Sequence, residues 1–401
     1  MKEIMPRIKY DSRILPYIGK PVIKVLVGQR RSGKSYLLQQ IVRHLEKTSG
    51  GPVIFIDKED EAYRHITDAD TLIQYIKEHT PRKTDAQTAV FIDEIQEITG
   101  FEGAIRSFAA KPLYDIYITG SNSEMLSGEL SSRLTGRYIE IPVHSLDFNE
   151  FCLFHQRKPD DDTLQLFLKF GGMPFLKHLD LVEDQAVEYL RSVTTNIVYR
   201  DIITRYNIRN VNFLDRLLHF LAGNIGSIVK AKTIADYLKS QQIRISVNTV
   251  LDYLEYLTAS QLAMPVSRID LRGKRTFEVG EKYYFQDVGI RNAISGYRLA
   301  DIGQVMENVV WHHLVSHGYE VFTGDQRGRE IDFVAVKNNE RVYIQVAYLL
   351  ANESTINREF GNLRAIKDNY RKMVVSMDPV SGGTLEGIEQ MRLLDFLKGF
   401  S

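Results

Sequence analysis

Residues 22–38 read Val22-Ile23-Lys24-Val25-Leu26-Val27-Gly28-Gln29-Arg30-Arg31-Ser32-Gly33-Lys34-Ser35-Tyr36-Leu37-Leu38. An apolar run, the pattern G-x-x-x-x-G-K-[ST] and an apolar helical start follow one another without a gap. Strand, loop and helix in that order are the signature of a phosphate-binding P-loop. The glycines let the backbone turn sharply and approach phosphates. The N–H groups of Gly28, Gln29, Arg30, Arg31, Ser32 and Gly33 turn inward, and the following helix adds the partial positive charge of its N-terminus. Lys34 is placed to reach the β- and γ-phosphates of a nucleoside triphosphate, and Ser35 to ligate Mg²⁺.

Working outward, Val53–Asp57 reads as a second buried strand after a helix at 35–48, and Ala89-Val90-Phe91-Ile92-Asp93-Glu94 as a third that ends in two carboxylates. Residues 113–122 are a fourth, ending Thr119-Gly120-Ser121-Asn122, and Tyr138–Val143 a fifth. Strands alternating with helices over about 150 residues predict an α/β fold with a parallel sheet. Ligands of such sheets bind at the carboxyl ends of the strands. Asp93 fits the Walker B role of holding Mg²⁺, and Glu94 the base that deprotonates the attacking water. Ser121 or Asn122 fits a sensor of the γ-phosphate, although Gly-Ser-Asn is also ordinary turn chemistry. Arg133 and Arg137 stand just before the fifth strand. Each reads either as a surface arginine or as a guanidinium that stabilises charge in phosphoryl transfer, from its own chain or a neighbour's.

The chain has 401 residues, 44% hydrophobic and 25% charged, enough for two or three domains. Lys+Arg and Asp+Glu both number 51. No global positive field therefore draws it to nucleic acid, and any such contact must be a local patch. Cys152 is the only cysteine, which excludes an intrachain disulfide and a cysteine-clustered zinc site and predicts a cytoplasmic chain. No signal-peptide core opens the sequence, and no window has the length and apolarity of a membrane span.

The ordered set KVLVGQRRSGKS, VFIDEIQ, YITGSNS, LTGRYIEIPVHSLDFNEF and GGMP (171–174) resembles prokaryotic AAA-type (AAA+ or STAND-like) ATPases that carry a C-terminal domain of unknown function with a nuclease-like core. The resemblance spans nearly the whole chain. It implies an ATPase domain over 1–150, a helical lid-like region over 151–208, and a nuclease-like domain over 289–401.

Between these, residues 209–288 read as three helices and a hairpin, a winged helix-turn-helix. Ser246 is placed as N-cap of the third helix. That helix carries Asp252 and Glu255 and no Lys or Arg, which disfavours phosphates. The hairpin turn, with Arg268, Arg272, Lys274 and Arg275, points the other way. DNA and a protein partner both stay open.

The C-terminal pattern of helix, three strands, helix and strand resembles the PD-(D/E)xK nuclease core. That motif wants an Asp, then Glu or Gln, x and Lys on the next strand, and often a helix carboxylate. Asp332, Gln345 and Glu307 match, but Ala347 stands where the lysine belongs. Lys367 and Lys337 are the candidate substitutes. The expectation is a degenerate fold that binds rather than cuts, with ATP and Mg²⁺ used at the P-loop. The alternatives are a slow STAND-like nucleotide switch and an ATP-dependent nuclease.

Overall fold

The computed structural model describes residues 5–82, 86–122, 136–271, 280–350, 353–379 and 383–400, and the chain divides into two compact units. The first is Met1–His144 with Ala259–Gln261, and the second Ser145–Thr258 with Leu262–Ser401.

The first unit is built on β1 (Ile23–Val27), β2 (Val53–Asp57), β3 (Thr88–Asp93), β4 (Tyr114–Gly120) and β5 (Tyr138–Pro142). All pair in parallel, in the order β2-β3-β4-β1-β5. Because side chains alternate across a strand, both faces of each must be covered. Val90 and Ile92 of β3 enter a core with Leu72, Ile76, Ile105 and Phe108, from helices Ala69–His79 and Phe101–Ala109. Ala89 and Phe91 enter another with Leu37, Leu38, Ile41 and Leu45 of helix Lys34–Thr48. Two-sided burial is why these strands read as unbroken apolar runs.

The second unit opens with helices Phe148–Phe154, Asp161–Phe170 and Glu183–Asn196; the last continues as a π-helix over Ile197–Thr204. Helices Val211–Gly223, Ala231–Ser240 and Val247–Ala259 follow, close to the expected positions, and Ser246 Oγ caps the third by accepting from Thr249 N at 3.0 Å. Strands β6 (Ile228–Val229), β7 (Ala263–Val266) and β9 (Glu281–Phe285) form an antiparallel sheet with β9 central.

Arg268 is not in a hairpin turn. It lies in β8 (Arg268–Asp270), which runs parallel to β10 (Glu320–Gln326) at the edge of a different sheet, and its guanidinium is 3.1 Å from Asp325 Oδ2. A carboxylate on the neighbouring strand claims that charge. Arg272, Lys274 and Arg275 lie outside the described residues.

That larger sheet adds β11 (Arg329–Lys337), β12 (Glu340–Ala347), β13 (Arg371–Ser376), β14 (Thr384–Leu385) and β15 (Ile388–Arg392). Its order is β14-β15-β13-β12-β11-β10-β8, antiparallel from β10 to β12 and parallel from β12 to β15. Helix Ile302–Ser316 packs Val305, Val309 and Val310 with Phe333 and Ile344 on one face. Helix Glu353–Arg364 packs Phe360 and Leu363 with Val334 and Val374 on the other. Among the described residues no helix is long and apolar enough to cross a membrane.

The GGMP stretch is structural. A Cβ on Gly172 would stand 2.0 Å from Leu146 O, while Gly172 N donates to Asp287 Oδ2 at 2.8 Å. Overpacking costs about 1–3 kcal/mol, and more where the obstacle is backbone. Gly172→Ala should therefore lower stability by about 3 kcal/mol or more, read as a reduced urea midpoint. Asp287 also accepts from Ile290 N at 3.1 Å, yet burial outweighs these donors and pushes its pKa up to about 6. Its ordinary value is 3.8, so the folded chain loses stability as pH rises from about 4 through about 6. The melting-temperature advantage of wild type over Asp287→Asn should be larger at pH 4 than at pH 7.

Candidate active site

The P-loop of the first unit joins the carboxyl end of β1 to helix Lys34–Thr48. Gly33 takes a left-handed φ of 100° at the turn into the helix. A Cβ on Gly28 would meet Val143 O at 2.2 Å and Ser32 Oγ at 2.8 Å, so only glycine fits. The buried Arg7 braces the loop from behind, donating through NH1 to Ser32 O and His144 O, each at 2.9 Å. Arg30 leans on Glu59 at 2.9 Å. Arg31 adopts a left-handed φ of 66°.

Lys34 is 3% exposed. Its ammonium donates to Gly28 O at 3.0 Å and Gln29 O at 3.3 Å and lies 3.4 Å from Glu94 Oε1. Placing β4 between β1 and β3 brings the ends of all three strands together. Ser35 is hydrogen-bonded to Asp93. Thr119 Oγ1 donates to Asp93 Oδ1 and accepts from Glu94 N at 2.9 Å. Gln96 Nε2 donates to Glu94 Oε2, and to Ser121 Oγ at 3.3 Å. Asn122 is buried beside Ser121.

Burial pushes the Asp93 carboxyl above its ordinary value, against the hydroxyls of Ser35 and Thr119. Burial acts on Glu94 in the same sense, but Lys34, Arg30, Gln96 and Ser121 together hold it below its ordinary value. Glu94 itself stands at φ 53°, a left-handed conformation uncommon for a residue with a side chain and frequent at functional sites.

Nucleotide and metal fit this site. The Gln29 amide nitrogen and the Ser32 hydroxyl are buried without a hydrogen-bond partner among the described residues, as expected of donors awaiting an acceptor-rich ligand. Ser35 and Asp93 already touch, where a Mg²⁺ shared with phosphate oxygens would be held.

Arg137 is not brought here. It precedes β5, which runs parallel to β1 with Tyr138 opposite Ile23, and its carbonyl accepts from Ile23 N at 2.9 Å. About 13 Å of strand separates it from the P-loop edge. The sequence places an arginine near a strand but does not say which end of the sheet that strand starts from. Arg133 lies outside the described residues. Thr119, Gln96 and Arg7 were not singled out from sequence. Thr119 shares a strand face with Ser121 at a spacing of two, a signal that was available; Arg7 left none.

In the second unit Glu307, Asp332 and Gln345 do converge. Asp332 N donates to Gln345 Oε1 at 3.2 Å, and Val346 N to Asp332 Oδ2 at 2.8 Å. The lysine among them is neither Lys337, whose ammonium lies over the Tyr319 ring, nor the exposed Lys367, but Lys282 of β9.

These features define an AAA-type P-loop NTPase core. A family described as "AAA domain" matches residues 20–152, and a domain family of unknown function matches residues 161–301, ending before helix Ile302–Ser316 rather than covering the C-terminal sheet. An uncharacterized protein of Haemophilus influenzae is 32% identical over 99% of both chains. Another, of Methanocaldococcus jannaschii, is 30% identical over 86% of this chain and 79% of its own. The chain belongs to the family of these AAA-domain proteins, whose class binds and hydrolyses ATP.

Solved structures also align. One is Cdc6p from Pyrobaculum aerophilum (12% identity, TM-score 0.32, 73% of this chain and 95% of that one). Another is AMPPCP-bound DnaA from Aquifex aeolicus (15%, 0.32, 64% and 89%). Scores of this size carry no argument.

Because Thr119 holds the Asp93 carboxylate and the backbone N–H of Glu94, Thr119→Val should lower ATP turnover about 10–100-fold, the usual cost of losing a residue that orients metal ligands. Phosphate release at saturating ATP and Mg²⁺ reads it.

Proposed function

We propose that the chain is an ATPase whose P-loop centre works by exchanging the partners of one lysine. The observation that carries this is the placement of Lys34 between the carbonyls of Gly28 and Gln29 and the carboxylate of Glu94. The β- and γ-phosphates offer that ammonium stronger acceptors. Moving to them frees Glu94 to take a proton from water, its orientation kept by Gln96 and Ser121. The backbone N–H groups of the loop cradle the phosphates. Ser35 and Asp93 hold Mg²⁺, which would neutralise charge on the β- and γ-oxygens. Any contribution from Arg137 has to come from a neighbouring copy, since its own P-loop is out of reach.

The same contacts favour a second reading. Glu94 is engaged by both Lys34 and Gln96 before nucleotide arrives, which suits slow turnover and a STAND-like switch.

The rest of the chain is read as what the nucleotide controls. Three helices beside a three-stranded antiparallel sheet support a winged helix. The exposed Leu251, Asp252 and Glu255 on its third helix favour a protein partner over DNA. The strand order around Asp332 and Gln345 supports a PD-(D/E)xK-like core, and Ala347 argues against cleavage by it.

Steady-state phosphate release from purified protein tests the proposal. Lys34→Ala and Glu94→Gln should each lower kcat about 10²–10⁴-fold, with Glu94→Gln still binding nucleotide. Undiminished turnover in either variant would sink it. Tightly retained ADP, with wild-type turnover far below about 1 per second, would select the switch.

A further inference from the structure

The carboxylates of the second unit surround a cation that the chain itself provides. Lys282 is 1% exposed and central in its sheet, with Ile228 of β6 and Val266 of β7 as its strand partners. Its ammonium lies 2.8 Å from Glu307 Oε1, 2.8 Å from Glu330 Oε1 and 3.7 Å from Asp332 Oδ1. An ammonium has three N–H donors and no acceptor; Glu307 and Glu330 stand at hydrogen-bond distance from it, and Asp332 adds a third negative charge at ion-pair distance.

Several of the oxygens around it have a second partner. Glu307 Oε1 also accepts from the buried Tyr284 hydroxyl, Asp332 Oδ2 from Val346 N, and Gln345 Oε1 from Asp332 N. A Cβ on Gly226 would stand 2.7 Å from Glu307 Oε2, so that carboxylate is also walled in by backbone. Burial opposes charge on Lys282, but Glu307, Asp332 and Glu330 outweigh it, and its pKa lies above the ordinary lysine value.

Mg²⁺ needs six oxygen ligands at about 2.0–2.1 Å around one centre. Here that centre is filled by nitrogen. Among the described residues no group of three or more His, Cys, Asp or Glu side chains is spaced to hold a metal. A lysine that assisted a metal would stand beside one carboxylate and face the water; this one faces all three.

We propose that Lys282 is a built-in cation that takes the place of a divalent metal in the Glu307–Glu330–Asp332 cluster, fastening the three-stranded sheet to the seven-stranded one and leaving the native cluster closed to metal. This stands on the placement of Lys282 and is independent of ATP turnover at the P-loop.

The experiment is Mn²⁺ titration of the nucleotide-free full chain, with free Mn²⁺ read by electron paramagnetic resonance. Wild type and Asp332→Asn should give superimposable isotherms, because any ion held near Ser35 and Asp93 is common to both. Lys282→Met should gain one site at least tenfold tighter than any in wild type. That site should vanish in the Lys282→Met/Asp332→Asn double variant and fail to appear in Lys282→Arg, which keeps the charge. A site in wild type that Asp332→Asn removes would overturn the proposal, as would a folded Lys282→Met that gains none. Should Lys282→Met not fold, the wild-type and Asp332→Asn pair still decides: equal isotherms support the proposal and unequal ones refute it. No nucleotide is present, so failure here leaves the ATPase reading untouched, and the reverse also holds.

Discussion

A buried ammonium must find acceptors, and the way this chain meets that constraint organises both of its units. Desolvating a lysine costs several kcal/mol unless carbonyls or carboxylates replace its water. Lys34 obtains them from the loop it closes and from Glu94 across the sheet edge. Those acceptors are replaceable: two are neutral carbonyls, and the third is a carboxylate with hydrogen bonds of its own. A polyphosphate offers more negative charge in the same space. The free protein is thus self-satisfied yet ready to exchange.

Two other lysines meet the same constraint without exchange. Lys24, fully buried in β1, donates to Asp115 on β4 and to Lys20 O; burial lowers its pKa against the pull of that carboxylate. Asp115 is fixed in turn by Gly19 N and the Tyr117 hydroxyl, so the pair is locked. Lys282 has three carboxylates and no neutral partner among its ion contacts. The series runs from exchangeable to permanent, ordered by the number and rigidity of the anions around each nitrogen.

How much of this was legible in the sequence follows from which interactions are local. The strands of the parallel sheet were readable because burial on both faces leaves continuous apolar runs, and the P-loop because its chemistry lies within eight consecutive residues. Asp93 and Glu94 were readable as the end of such a run. Which of the two readings of Arg137, own chain or neighbour, is open to it was not legible, because strand pairing, not sequence, decides which end of β5 lies beside which end of β1. Arg268 was assigned to a turn because its true partner, Asp325, is 57 residues away in the sequence, on the neighbouring strand of the seven-stranded sheet. Gln96 and Thr119 lie inside VFIDEIQ and YITGSNS, but those strings alone gave them no role; their contacts arise because β4 inserts between β1 and β3.

By itself the sequence determined an α/β P-loop core, its phosphate loop, the two adjacent carboxylates Asp93 and Glu94 at the end of a buried strand, and the absence of the expected lysine at position 347. Each of these rests on residues adjacent in the chain or on the periodicity of one element. Only the tertiary structure decided that Arg137 lies at the amino end of β5, that Thr119 joins the Asp93 carboxylate to the Glu94 backbone, and that the missing cation of the C-terminal cluster is supplied by Lys282. Those are matters of which strand lies beside which, and a strand's own residues do not carry that information.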